Sequence, residues 1–118
     1  MLNFICHHRC TTCKKARDYL TGKGVQFEER DITSQNPTRD ELKAWYEKSG
    51  LDIRKLFNTS GIQYRTLGLK DKLAEMSAEE ALDLLATDGM LVKRPVLVGE
   101  GFVLFGFKEA EWEKNLNK

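Results

Sequence analysis

Hydrophobic and polar positions divide the chain into short periodic stretches separated by turn residues. Leu2–Cys6 is an apolar run that meets a polar break at His7-His8-Arg9, and it reads as a buried first strand. Thr11 is the predicted N-cap of a helix continuing through residues 14–22, with Ala16, Tyr19 and Leu20 on its inner face and Gly22 and Gly24 ending it. Residues 25–32 open with apolar/polar alternation and predict a second strand ending near Asp31. Strand, helix and strand within about thirty residues have the length of a right-handed crossover joining parallel strands.

The next signal is helical. Thr38 caps, Glu41 follows three residues on as in a capping box, and Leu42, Trp45 and Tyr46 form an apolar stripe that Gly50 ends. Residues 52–57 predict a short helical turn and Asn58-Thr59-Ser60-Gly61 a loop; residues 64–73 are mixed, with short helix favoured. Ser77 and Glu80 repeat the capping signature for a helix through Ala81, Leu82, Leu84 and Leu85 that ends near Gly89. Two apolar runs, Val96-Leu97-Val98 and Phe102-Val103-Leu104-Phe105, flank the turn Gly99-Glu100-Gly101 and predict an antiparallel hairpin. Residues 109–115 close the chain as a helix carrying Ala110 and Trp112. The predicted class is α/β with the order β-α-β, a helical insertion over about 38–88 without a strand, then β-β-α.

Bulk properties narrow this picture without redirecting it. The chain has 118 residues, which suits one domain, 1–118, with a single core. Hydrophobic residues at 41% and charged residues at 31% exclude a disordered or fibrous chain. The formal net charge of +1 supplies no global field for nucleic acid or a membrane surface, so any anion site must be local. No basic leader precedes a long apolar run and no stretch nears a membrane span, which makes the cytoplasm the default expectation. No G-x-G-x-x-G or P-loop pattern points to a nucleotide. We expect a monomer with no cofactor, no bound metal and no direct contact with nucleic acid or membrane.

The chemistry is concentrated at one end. All three cysteines, Cys6, Cys10 and Cys13, lie in the first thirteen residues, whereas a disulfide scaffold spreads them to staple distant parts. A C-x-x-C between strand and helix places its first sulfur at a helix N-terminus, where unpaired amides and the macrodipole favour the thiolate that acts as nucleophile. Cys10 is therefore the candidate nucleophile. Cys13, one turn on, is the candidate resolving thiol, with Thr11 and Thr12 as supporting residues between them. Arg9, Lys14 and Lys15 add local positive potential, weakened by screening. A zinc site is the rival reading: Cys6, His7, His8, Cys10 and Cys13 supply enough ligand atoms, but no second cysteine pair lies downstream. Cys6 fits the role of a small buried hydrophobe better than the other two. His7 and His8 could exchange protons near neutral pH, although a loop histidine is more often simply solvated.

Lys93-Arg94-Pro95, before the third strand, is the second constellation. A proline at a strand entrance is compatible with a cis peptide in a tight turn. An arginine brought from there to the thiolate could pair with the sulfur and orient an oxyanion or a partner backbone. The plainer alternative is a solvated basic pair beside a rigid turn.

Together, Cys10-Thr-Thr-Cys13-Lys-Lys-Ala16, Phe57-Asn-Thr-Ser-Gly61, Asp88-Gly-Met-Leu-Val-Lys-Arg-Pro95 and Val103-Leu-Phe-Gly-Phe-Lys-Glu109 resemble the ArsC/Spx family over essentially the whole chain. The resemblance implies a thioredoxin-like fold with a four-stranded mixed sheet. It also implies Cys10 as the reactive thiol, Arg94 as its stabiliser and a cis bond at Pro95. For the arsenate reductases of the family it implies three arginines on the oxyanion. Here only Arg94 matches, with Asn58 and Gly106 at the other two positions, Cys6 where those enzymes carry a histidine, and Cys13 where they usually carry a serine. Two guanidinium forks suited to a tetrahedral oxyanion are thus missing. The Spx branch implies a redox-sensing regulator that binds RNA polymerase through a C-x-x-C switch, but this chain ends soon after its last helix, without that branch's basic extension. The expected activity is that of an arsenate reductase-like thiol–disulfide oxidoreductase forming a Cys10–Cys13 disulfide, with thioredoxin, glutaredoxin or glutathione as external reductant. The alternative is an Spx-like regulator with RNA polymerase as partner.

Overall fold

The computed structural model describes residues 2–59 and 61–116. Strand β1 (Leu2–Cys6) leads through a polar turn into helix α1 (Thr11–Gly22) and then strand β2 (Phe27–Asp31). β1 and β2 are parallel, with Leu2 opposite Phe27 and Cys6 opposite Asp31. Strands β3 (Val96–Gly99) and β4 (Phe102–Phe105) form the predicted hairpin, and β3 pairs antiparallel with β1, Phe4 lying opposite Leu97. The sheet order is β2-β1-β3-β4, the thioredoxin-like arrangement in which the first and third strands are central. Phe4, Ile5, Val96 and Leu97 on those strands are completely buried.

Period-two alternation sends neighbouring residues to opposite faces. Phe4 and Cys6 point toward α1, joining Cys13, Ala16 and Leu20 from its inner face and Trp112 from α6 (Glu109–Leu116). Ile5 points the other way, into a larger core built from the segment between β2 and β3. That segment holds α2 (Arg39–Ser49), α3 (Ile62–Thr66), α4 (Leu69–Lys72) and α5 (Ala78–Leu85), with 3₁₀ turns at Ile53–Leu56, Leu73–Glu75 and Gly89–Leu91. Both predicted capping boxes form: Thr38 with Glu41, and Ser77 with Glu80.

Several boundaries differ from the sequence expectation, for local reasons. The N-cap of α1 is Cys10, not Thr11: Cys10 has extended backbone (φ −85, ψ 119), its sulfur accepts the Cys13 amide, and Thr11 is already helical. β2 starts at Phe27 rather than Val25, because the Val25 amide bonds back to the Leu20 carbonyl (3.4 Å) and extends the exit from α1. α5 stops at Leu85, four residues short of Gly89. Asp88 then caps a new turn by accepting the Met90 amide at 2.9 Å. Gly89 is required there by space, since a Cβ would lie 2.1 Å from the Ile32 carbonyl oxygen. The predicted 58–61 loop includes Ser60, which lies outside the described residues. Among the described residues no helix is long and apolar enough to cross a membrane.

Candidate active site

The turn after β1 sets the position of the cysteine motif. The Cys10 amide donates to the His7 carbonyl (3.1 Å), closing the turn, and the Cys10 carbonyl accepts the Lys14 amide (3.1 Å), starting the helix. A residue with extended backbone at that point aims its side chain at the free amides of the first turn. For Cys10 this delivers the Cys13 N–H to its Sγ at 3.4 Å. The sulfur is half-buried and lines a cavity of about 430 Å³. All three cysteines are free thiols.

Cys13 faces inward and is completely buried. Its Sγ accepts the His7 amide at 3.5 Å. Its thiol is held strongly protonated, first because it hydrogen-bonds the Cys6 sulfur and second because of burial. Cys6 is the other half of that pair: its thiol is shifted downward, chiefly by the Cys13 hydrogen bond, against the opposing effect of burial. The Arg17 guanidinium also reaches Cys6, with Nη2 donating to Sγ at 3.5 Å. Arg17 is in turn held by Glu29 of β2 through two contacts of 2.6 and 3.1 Å, and it lies over the Phe4 ring at 5.9 Å.

The opposite wall is the Arg94-Pro95 turn, and the bond between them is cis. Backbone contacts pin the approach to it: the Lys93 amide donates to the Leu56 carbonyl (2.8 Å), the Asn58 amide to the Leu91 carbonyl (2.7 Å), and Phe57 bridges Val92. The Gly106 amide donates to the Pro95 carbonyl at 2.8 Å on the other side. Arg94 thus lines the same cavity as Cys10, together with Thr12, Asn58, Lys93 and Lys108. Its Nη1 touches the Met90 sulfur (3.1 Å), while its buried Nε has no hydrogen-bond partner among the described residues. Gly106 has φ +81, and a Cβ there would come within 3.0 Å of Lys93 Cε, so the lysine stem runs across the space above the glycine.

The structure brings Cys10, Thr12 and Arg94 to one cavity and Thr11 to the surface beside Cys10 and Arg94, with Cys13 meeting Cys10 through its amide and Pro95 next in the chain to Arg94. His7 is half-buried, and burial, then the neighbouring Arg94 charge, push its imidazole below the usual histidine value. Its Nδ1 accepts the Arg9 amide at 3.3 Å. His8 is exposed and lies 3.8 Å from Asp31. Among the described residues no group of three or more histidine, cysteine, aspartate or glutamate side chains is placed to hold a metal ion. Sequence reasoning missed Arg17, although its position four residues after Cys13 puts both on one helical face. It also missed Lys108, which only tertiary folding brings to the cavity, and read Lys93 only as part of the basic pair before Pro95.

Three comparisons place this geometry among known proteins. The model of the ArsC family matches residues 6–115. The uncharacterized protein YusI of Bacillus subtilis (strain 168) is 51% identical over 114 residues, 97% of each chain, and the regulatory protein MgsR of the same organism is 30% identical over 93% of this chain and 86% of its own. A possible arsenate reductase from Streptococcus mutans UA159 superposes with a TM-score of 0.89 at 43% identity, covering 98% of both chains.

Proposed function

The chain belongs to the ArsC family, and on that premise we propose that it is a thiol–disulfide oxidoreductase with Cys10 as nucleophile and Cys13 as resolving thiol. The observation that carries the reading is the placement of the Cys10 sulfur, which caps α1 and faces a cavity shared with Arg94. The Cys10 thiolate attacks one sulfur of a disulfide substrate, forming a mixed disulfide and releasing the other half as a thiolate. Cys13 then attacks Cys10, releasing the second half and leaving a Cys10–Cys13 disulfide. An external dithiol or thiol, such as thioredoxin, glutaredoxin or glutathione, returns both sulfurs to the reduced state. The Arg94 Nε, which has no partner among the described residues, and the Lys93 and Lys108 side chains lining the same cavity favour a substrate carrying negative charge. Asn58 and Gly106 supply no guanidinium for a tetrahedral oxyanion, so arsenate is the poorer substrate.

The similarity to MgsR over most of its length favours a second reading, in which the same disulfide alters a surface that binds RNA polymerase. Oxidation would take the Cys10 thiolate away from the Cys13 amide and disturb the first turn of α1. One set of assays separates the two. Turnover is measured with a generic disulfide and with arsenate, each reductant in turn, for the wild type, Cys10→Ser and Cys13→Ser. Disulfide turnover that needs both cysteines is the expected result. Activity surviving Cys10→Ser overturns the enzymatic reading, and no turnover alongside oxidation-dependent polymerase binding favours the regulator.

A further inference from the structure

We propose that a basic cleft beside the Cys10 cavity binds the acidic part of the substrate, which is an extended peptide disulfide with carboxylates a few residues from its cysteine. The inference rests on the thiol–disulfide reading given above and names its substrate class. The cleft is a second cavity, of about 600 Å³, lined by Arg54, Lys55, Lys93 and Lys108 together with Phe57 and Phe105. Lys93, Phe105 and Lys108 also line the cavity that holds the Cys10 sulfur, so the two adjoin along those three residues. A ligand whose sulfur meets Cys10 can therefore continue past them.

Charge in the cleft is one-sided. Its two carboxylates belong to Asp52 and Glu111. Asp52 is turned onto Arg54: its Oδ1 accepts the Arg54 amide at 3.0 Å and Nε at 3.2 Å, so that pair neutralises itself. Among the described residues Lys55, Lys93, Lys108 and Glu111 take part in no ion pair. Three lysines thus line the cleft against one carboxylate that pairs with none of them. A cleft lined by one sign of charge focuses the potential and draws in the opposite charge.

The lysines are also held in place. The Lys55 amide donates to the Asp52 carbonyl (2.9 Å), the Lys93 amide to the Leu56 carbonyl (2.8 Å), and the Lys108 carbonyl accepts the Trp112 amide (3.0 Å). Trp112 Nε1 donates to the Gly106 carbonyl at 3.0 Å and ties the stretch before Lys108 to α6. A site fixed before binding loses little ordering entropy when the ligand arrives. Length decides the ligand class. A compact anion fits within the Cys10 cavity and gains nothing from Lys55, which lies outside it, whereas a peptide extending about 3.3 Å per residue reaches the second cavity. A nucleic-acid strand fits less well, because Phe57 and Phe105 are buried in the wall rather than presented as stacking platforms.

Two peptide disulfides test this with the intact protein: one with glutamates a few residues from the cysteine, and a twin with glutamines there. The acidic peptide is expected to show a kcat/KM about tenfold higher at low ionic strength, through KM, and the advantage should fade as salt rises. Lys55→Glu is expected to remove the preference and Lys55→Gln to reduce it about threefold, the scale of one exposed ion pair. Lys55→Arg should keep it, since the charge is what the ligand reads. A wild-type preference below twofold overturns the proposal, as does a preference that survives Lys55→Glu. Inhibition by a single-stranded oligonucleotide below the KM of the acidic peptide also overturns it, by assigning the cleft to a phosphate backbone. Failure of the underlying reading looks different: neither peptide is reduced, or reduction survives Cys10→Ser. The same peptides with serine in place of cysteine, followed by fluorescence anisotropy, then still read the cleft. The acidic one should bind the wild type about tenfold more tightly than its twin and lose that advantage in Lys55→Glu; equal binding to the wild type overturns the proposal.

Discussion

The two faces of the sheet are built from the same strands and do different work. On the insertion side, Ile5, Val96, Val103 and Phe105 meet Leu42, Trp45, Leu56, Leu82 and Leu85 in a core that contains no sulfur nucleophile. On the α1 side, Phe4 and Leu97 meet Leu20 and Trp112, but the end of that layer nearest the cavity is made of Cys6 and Cys13. Buried apolar volume on one face and buried thiols on the other divide the tasks. The first fixes where the Arg94-Pro95 turn sits, and the second sets thiols behind the Cys10 that lines the cavity with Arg94.

The division can be broken from either side. The largest effect should come from Cys10→Ser, which is expected to lower disulfide turnover at least about a thousandfold, as losing a nucleophile does. It should leave the unfolding free energy within about 0.5 kcal/mol of wild type. Denaturant unfolding and steady-state turnover on one preparation test both halves, and a large stability loss would show that the faces are not separable. The converse is Leu42→Ala, at a fully buried position in the insertion core. It should destabilise by about 2–5 kcal/mol while leaving the rate of Cys10 alkylation in the folded protein unchanged. Arg94→Met tests the turn that links the faces. Turnover of an anionic disulfide is expected to fall about a hundredfold, the scale for losing one preorganised donor, with less change for a neutral one. Equal losses on both substrates would remove Arg94 from substrate binding.

The smallest effect concerns the contact between β2 and the insertion. Arg30 at β2 grips Glu41 of α2 through two contacts of 2.7 and 2.9 Å, and this, ahead of the Thr38 amide, pulls the Glu41 carboxyl down to about 2. A folded-state value below the unfolded one contributes stability that is complete above the unfolded carboxylate range of about 4.3 and disappears as the pH falls toward 2. Because the pair is partly exposed and screened, Glu41→Gln should cost only about 1 kcal/mol at neutral pH. That difference should shrink on acidification, with thiol reactivity unaffected. A gap between variant and wild type that widens in acid would contradict the sign.

Much of this architecture is legible in the sequence because it rests on short-range rules. The apolar run Leu2–Cys6, both capping boxes and the Gly-rich turn of the hairpin each depend on residues within a few positions of one another, and each element forms, the turn being shortened to Glu100-Gly101 because Gly99 stays in β3. The cap of α1 was misplaced at Thr11 because threonine is the better intrinsic capper; the Cys10–His7 turn, a product of how the chain leaves β1, decides otherwise. Cys6 was readable as buried. Its contacts with Arg17 and Cys13 were not, since they depend on α1 lying across the end of β1. The placement of Lys108 in the same cavity as Cys10 was hidden for the same reason.

Gly106 and Lys93 carry a lesson for anyone redesigning the site. The empty place above the glycine is occupied by the lysine stem, so the two positions are coupled, and the identity of one restricts the other. Installing an arginine at 106 would ask for a left-handed backbone that side chains resist, and would need the Lys93 stem to shift by a few tenths of an ångström. The single change should therefore be a poor step, and shortening Lys93 would not rescue it, because the backbone at 106 would stay left-handed.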